Sequence, residues 1–146
     1  MTTFSKILLP IDFTECSTAV LPHAKLMKEK FDAELYLLYN MPGPEQYKGL
    51  NIEADWFASF GKSLRREADV AMDNFIQQNM RGFEPEKAVV RIGEVVAETV
   101  IFADELNVDL IITASHGCHT TENRLYGSIA EGISRQSRCP VMIIHP

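Results

Sequence analysis

A parallel α/β sheet with helices on both faces is the fold class this sequence predicts, and three observations predict it. Short apolar runs alternate with longer amphipathic stretches in the order β-α-β-α-β-α-β-α-β, a pattern that right-handed crossovers wind into a parallel sheet. The apolar runs lack a clean in-out alternation, as strands covered on both faces do. With 146 residues, 46% of them hydrophobic, the chain is expected to form one domain over 1–146, long enough to bury about two-thirds of its unfolded surface.

Residues 4–11 form the first apolar run and a central strand. From Ser17 onward, Val20, Ala24, Met27 and Phe31 recur at spacings of four, three and four, an amphipathic stripe that packs a helix on that strand. Pro22 falls at the edge of its first turn, where the missing N–H is expected to distort the helix without breaking it. Residues 33–39 read as the second strand, ended by Pro42-Gly43-Pro44 because proline cannot extend a sheet. A polar loop follows to about residue 54. Phe57, Phe60, Leu64, Ala68, Met72 and Phe75 then keep the helical period through a long helix closed by Gly82 and Pro85.

Residues 87–92 make a third strand, and Gly93 turns the chain into a helix with Val96, Val100 and Ala103 inward and Glu94, Glu98, Asp104 and Glu105 mostly outward. Residues 109–113 are the fourth strand. The last helix runs from 127 or 128 to about 138, and the fifth strand covers 140–144.

Charge and composition narrow the function. The formal net charge of −6 argues against nucleic acid and anionic membrane surfaces, both of which attract basic faces. No apolar run approaches the roughly 18 residues of a membrane span, and no signal peptide precedes the first strand, so a cytoplasmic location is expected. Cys16, Cys118 and Cys139 are an odd number without CxxC spacing, which argues against a disulfide framework or a zinc site and reads them as small residues.

The most informative segment is Asp109-Leu110-Ile111-Ile112-Thr113-Ala114-Ser115-His116-Gly117, followed after nine residues by Gly127-Ser128. It reads as a phosphate cradle: a buried strand, a loop of small residues, and the start of a helix. The first N–H groups of a helix lack internal partners and, with the helix dipole, favour an anion. Glycine lets a phosphate approach the main chain, Ser128 adds a hydroxyl, and Ile129 and Ala130 offer further N–H groups. Ser128 equally serves as a helix N-cap, and the two roles are compatible. Arg124 pairs with a phosphate or is simply solvated. His116 touches phosphate or sugar, or packs against its own backbone.

Three blocks carry a family resemblance: Lys6-Ile7-Leu8-Leu9-Pro10-Ile11-Asp12-Phe13-Thr14-Glu15-Cys16-Ser17, the cradle, and Arg138-Cys139-Pro140-Val141-Met142-Ile143-Ile144. In this order they resemble the universal stress protein family over essentially the whole chain. Its nucleotide-binding members show a Gly, two residues, a Gly, nine residues, then Gly and Ser or Thr. Gly117, Gly127 and Ser128 match the last three places. Ala114 stands where the first Gly would be, a departure that disfavours positive φ and adds one methyl to a close main-chain contact.

The resemblance implies an adenine nucleotide α-hydrolase-like, Rossmann-like sheet with strand order 3-2-1-4-5, its switch point between the first and fourth strands. Pro10, Ile11 and Asp12 would then lie opposite residues 114–117, outside the carboxyl ends of the strands, where such sheets bind ligands. It further implies that Asp12 and its neighbouring backbone accept from adenosine, although Asp12 equally suits a turn residue bonding nearby N–H groups. At the place of Asn40 the family has an apolar residue whose main chain meets adenine; the Asn40 side chain adds a base contact or caps the turn before Pro42.

The expected ligand is ATP, ADP or AMP, with Mg or Mn accompanying the phosphates, and binding is expected to bias residues 114–127 between ordered and mobile states. No nucleophile elbow, HExxH helix or Walker motif occurs in the chain, so no catalytic residues are assigned and the function expected is regulatory. The alternatives are a slow ATP hydrolase and a dimeric interaction protein without nucleotide. A response-regulator receiver lacks its acidic pair, phosphorylatable Asp and Lys here. An uncovered apolar fifth strand pairs with another chain unless blocked, and the resemblance implies a homodimer through it, with Val141 and Ile143 at the contact.

Overall fold

A computed structural model describes residues 3–43, 54–115 and 128–146, with side chains from residue 60 onward in the second stretch. The chain runs β1 (Lys6–Pro10), α1 (Glu15–Thr18), α2 (Leu21–Phe31), β2 (Glu34–Met41), α3 (Ala54–Asn79), β3 (Lys87–Ile92), α4 (Val95–Leu106), β4 (Leu110–Ala114), α5 (Ser128–Gln136) and β5 (Val141–Ile144). The five strands form one sheet in the order β3-β2-β1-β4-β5, every pair parallel, as the resemblance implied.

Successive strand residues point to opposite faces, and here both faces are covered. Ile7, Leu9, Leu35, Leu37, Leu110 and Ile112 pack on one side with Val20 and Ala24 from the α1–α2 region and Ala68, Met72 and Phe75 of α3. Leu8, Tyr36, Leu38 and Ile111 pack on the other with Phe102 and Ala103 of α4 and Ile133 of α5. Each of the larger of these buried side chains stabilises the fold by about 1.5–3 kcal/mol through removal from water, and the double coverage explains why the strand sequences are apolar throughout.

Pro22 does more than distort. The expected single helix is split into α1 and α2, with Pro22 in the first turn of the second. Its ring excludes the carbonyl of residue 18 from continuing the ladder, and Val20 N–H bonds Ser17 O at 3.3 Å, a tightened turn that ends the first piece. The stripe of α3 also stops short of expectation: Ala68, Met72 and Phe75 are buried, but Phe60 is 45% exposed. In α4 Thr99, Phe102 and Ala103 are buried and Val96 packs against the same core, so Thr99 and Phe102 join the expected Val96 and Ala103.

Helix ends are closed by local chemistry. Asp32 and Asn107 adopt left-handed backbone at the C-caps of α2 and α4, where their N–H groups bond back to Lys28 O and to Ala103 O and Asp104 O. Glu94 caps α4, its carboxylate accepting from Val96 N–H at 3.0 Å and Ala97 N–H at 2.7 Å. Asp109 precedes β4 and accepts from the N–H groups of Ser5 and Lys6, both at 2.9 Å, tying the entrance of β4 to that of β1.

Candidate functional site

Because the winding reverses between β1 and β4, the chain leaves these two strands in opposite directions and opens a crevice at their carboxyl ends. A cleft of about 140 Å³ lies there, a size at which an apolar cavity admits one aromatic ring. Pro10, Ile11 and Asp12 at the end of β1, Asn40 in β2, Ala114 at the end of β4, and Ser128 and Ile129 at the start of α5 all line it. Seven of the residues singled out from the sequence therefore converge on one cavity. Ala130 does not line it; its side chain is buried at 2% exposure. His116, Gly117, Arg124 and Gly127 lie outside the described residues.

The lining also holds Cys16, Ser17, Leu38, Tyr39, Val95, Thr113 and Ser115, to none of which sequence reasoning assigned a ligand contact. Asp12 and Ser17 form a closed pair. Ser17 Oγ donates to Asp12 Oδ1 at 2.6 Å and accepts from Asp12 N–H at 2.9 Å. Thr14 adds its N–H at 3.0 Å and its hydroxyl at 2.5 Å to the same Oδ1. The turn role weighed for Asp12 is thus present in the structure, and Asp12 lines the cleft as well. The spacing Asp12, Thr14, Ser17 is the one signal that could have found this ring, as an Asx-type turn entering a helix.

The residue between Asp12 and Thr14 is unusual. Phe13 has φ 64, a conformation costly for a bulky side chain, and its ring packs 4.5 Å from that of Tyr39 and 6.0 Å from that of Phe75. Aromatic packing holds the strained turn beside Asp12. Ala114, by contrast, is strand backbone and is not among the described residues with positive φ. Its departure from glycine therefore costs one methyl and no backbone strain.

Asn40 is 7% exposed. Its Nδ2 donates to Thr99 Oγ1 at 3.3 Å, and Thr99 Oγ1 in turn donates to Val95 O at 2.6 Å, while Asn40 Oδ1 is buried without a partner. The cap before Pro42 weighed for this side chain is not what it does. Ser128 is the first helical residue of α5 and is exposed, so its hydroxyl and first-turn N–H groups stand at the cleft.

Electrostatically, Asp12 is the one charged group of the lining among the described residues. Arg91, paired beside Asn40 across β2 and β3, is held instead by Glu98 at 3.4 Å and by Glu105, with its guanidinium 4.8 Å above the Phe102 ring. Among the described residues no group of three His, Cys, Asp or Glu side chains could hold a metal. Nor is any helix among them long and apolar enough to cross a membrane. One cysteine expectation needs correction: Cys16 is disulfide-bonded. Cys139 is a free thiol, so the bridge's other end lies outside the described residues.

Comparison with known proteins agrees with this architecture. The sequence pattern of the universal stress protein family matches residues 3–145. Universal stress protein MJ0577 of Methanocaldococcus jannaschii is 31% identical, over 97% of this chain and 94% of that protein. The solved structure of MJ0577 superposes with a TM-score of 0.83 at 27% identity, covering 99% of this chain and 98% of that one. A universal stress protein solved in complex with cAMP shares the fold at 20% identity and a TM-score of 0.63, over 99% and 98% of the two chains. The Archaeoglobus fulgidus protein in complex with dAMP does so at 21% and 0.59, over 98% and 99%. With the family pattern matched over residues 3–145 and a relative 31% identical over nearly the full length of both chains, the chain belongs to the universal stress protein family.

Proposed function

We propose that this chain is an adenine-nucleotide-binding regulatory module, with ATP, or ADP or AMP, held at the switch point between β1 and β4. The observation that carries the reading is the convergence of Pro10, Ile11, Asp12, Asn40, Ala114, Ser128 and Ile129 on one cleft at the carboxyl ends of the strands. The cAMP and dAMP complexes of two proteins of the same fold support the ligand class.

In this reading the base enters the cleft near Asn40 and the ribose meets Asp12 and its backbone. The phosphates extend toward the first turn of α5, where unpaired N–H groups of Ser128, Ile129 and Ala130 and the helix dipole favour negative charge. His116, Gly117, Arg124 and Gly127 complete the phosphate contacts, supplying the positive field that the described lining lacks. Mg or Mn travels with the phosphates, with no dedicated carboxylate cage of its own. Ligand binding then acts by changing a surface. It works in the cytoplasm, as a homodimer joined through β5.

Native mass spectrometry of freshly purified protein tests this directly. The expected result is an adenine nucleotide retained by the wild type and lost in Gly127→Glu, whose carboxylate would occupy and repel the phosphate position. Retention by Gly127→Glu would show that the phosphates lie elsewhere.

A further inference from the structure

The turn that carries Asp12 is built at a local cost. Phe13 takes φ 64, a conformation that disfavours a bulky side chain. Thr14 stands at the N-cap of α1, where a threonine hydroxyl usually accepts from the first N–H groups of the helix, yet it makes no such bond. Its hydroxyl donates instead to Asp12 Oδ1 at 2.5 Å. The buried Ser17 hydroxyl, from within the same helix, donates to that oxygen at 2.6 Å, and the Thr14 N–H adds a third hydrogen bond at 3.0 Å. A strained backbone and an unmade helix cap thus accompany three donors gathered on one carboxylate oxygen.

Proteins depart from local preference chiefly where a site needs the geometry. Asp12 is where these departures meet: it is exposed, it lines the cleft, and it is the one charged side chain of that lining among the described residues. With one oxygen fixed by three donors, its side chain has lost its rotamer freedom before any ligand arrives, so the ordering cost falls on folding and not on binding. We infer that Thr14 and Ser17 are positioning residues that hold Asp12 as a preset acceptor for the sugar hydroxyls of a nucleotide. The inference rests on the nucleotide reading above, which puts the ribose at Asp12, and adds that sugar recognition depends on two hydroxyls acting through the carboxylate. A carboxylate only accepts, so what it selects must donate. A sugar stripped of its hydroxyls presents no donor there, while its base and phosphates are unchanged.

The experiment compares ATP with 2′,3′-dideoxyadenosine triphosphate by calorimetry on the full chain, in wild type, Ser17→Ala, Thr14→Val and Asp12→Ala, and in Asp12→Ala combined with each of the other two. Far-ultraviolet circular dichroism confirms that each is folded, and Thr14→Val, which keeps the N–H and the side-chain shape, serves if Ser17→Ala does not fold. The expected wild-type preference for ATP is about 30-fold. It falls to within about threefold in Ser17→Ala and to about tenfold in Thr14→Val, in both by weaker binding of ATP, while the dideoxy compound binds as it does to the wild type. Added to Asp12→Ala, neither substitution weakens ATP further, the non-additivity of groups that act through one carboxylate. Folded variants that keep the full preference, or that weaken both nucleotides equally, overturn the inference, as does a wild type without the preference, and each leaves nucleotide binding standing. If wild type binds neither compound, the nucleotide reading falls and this inference with it.

Discussion

Asp12 and Ser17 exchange two hydrogen bonds across five residues, hydroxyl to carboxylate at 2.6 Å and backbone N–H to hydroxyl at 2.9 Å. The ring orients the segment that leaves β1 and presents Asp12 at the cleft. Ser17 is buried, so Ser17→Ala leaves a backbone donor and a carboxylate oxygen each short of a partner. The expected cost is about 1–3 kcal/mol of unfolding free energy, read as a lower urea midpoint with an unchanged denaturant slope. A midpoint equal to that of the wild type would show the ring to be incidental.

Gly132 of α5 sits against Val96 of α4 so closely that a Cβ added to it would lie 2.9 Å from Val96 Cγ2 and 3.2 Å from Cγ1. Valine in a helix has essentially one rotamer and cannot swing aside. Helix propensity favours alanine over glycine by about 1 kcal/mol, but overpacking costs about 1–3 kcal/mol. Gly132→Ala should therefore destabilise the wild type by about 1 kcal/mol and stabilise a Val96→Ala background. A double-mutant cycle in urea checks the change of sign; stabilisation in both backgrounds would refute the contact.

Tyr36 donates its hydroxyl to Glu34. This bond to a carboxylate, with burial of the ring and the negative charge of Glu34 and Glu86 adding to it, pushes the phenol up to about 12 from 10.0. The folded state favours the protonated phenol, so its contribution to stability is complete below about pH 10 and is lost as pH rises from there toward 12. Stability measured across that window should fall more steeply for the wild type than for Tyr36→Phe. Parallel curves would contradict the assignment.

The strands were legible because both sheet faces are covered. Leu8 and Leu9 face opposite cores, and burial on both sides writes an unbroken apolar run into the sequence. Their spatial order came only with the family resemblance, since alternation alone leaves strand order open. The break at Pro22 was underestimated, because a missing N–H and a ring clash act together there. Phe60 kept the helical period but remains 45% exposed: periodicity reports a face, and whether anything covers that face is a tertiary matter. At the cleft, Ala114 was legible from motif spacing, and Asp12 and Asn40 from strand ends read together with the family resemblance. Thr99 was not, because its role depends on Asn40, 59 residues away in sequence, and on the helical carbonyl of Val95. The left-handed turn at Phe13 was equally hidden, since nothing in an aromatic residue announces positive φ.

β5 pairs with β4 alone among the described strands, and its two outward candidates differ. Val141 packs against the core of α4 and α5, whereas Ile143 is 36% exposed. Ile143→Glu is therefore the cleaner probe of the proposed dimer, because Val141→Glu would also damage the core. Light scattering should give twice the chain mass for the wild type and the chain mass for Ile143→Glu, with thermal stability of the subunit changed by less than about 1 kcal/mol. An unchanged dimer would place the interface elsewhere.

Calorimetric titration of the full chain with ATP and Mg tests the central claim most directly. The account predicts a saturable isotherm of one nucleotide per chain, weakened in Gly127→Glu. Flat traces with ATP, ADP and AMP at millimolar concentration, on protein shown to be folded, would contradict it.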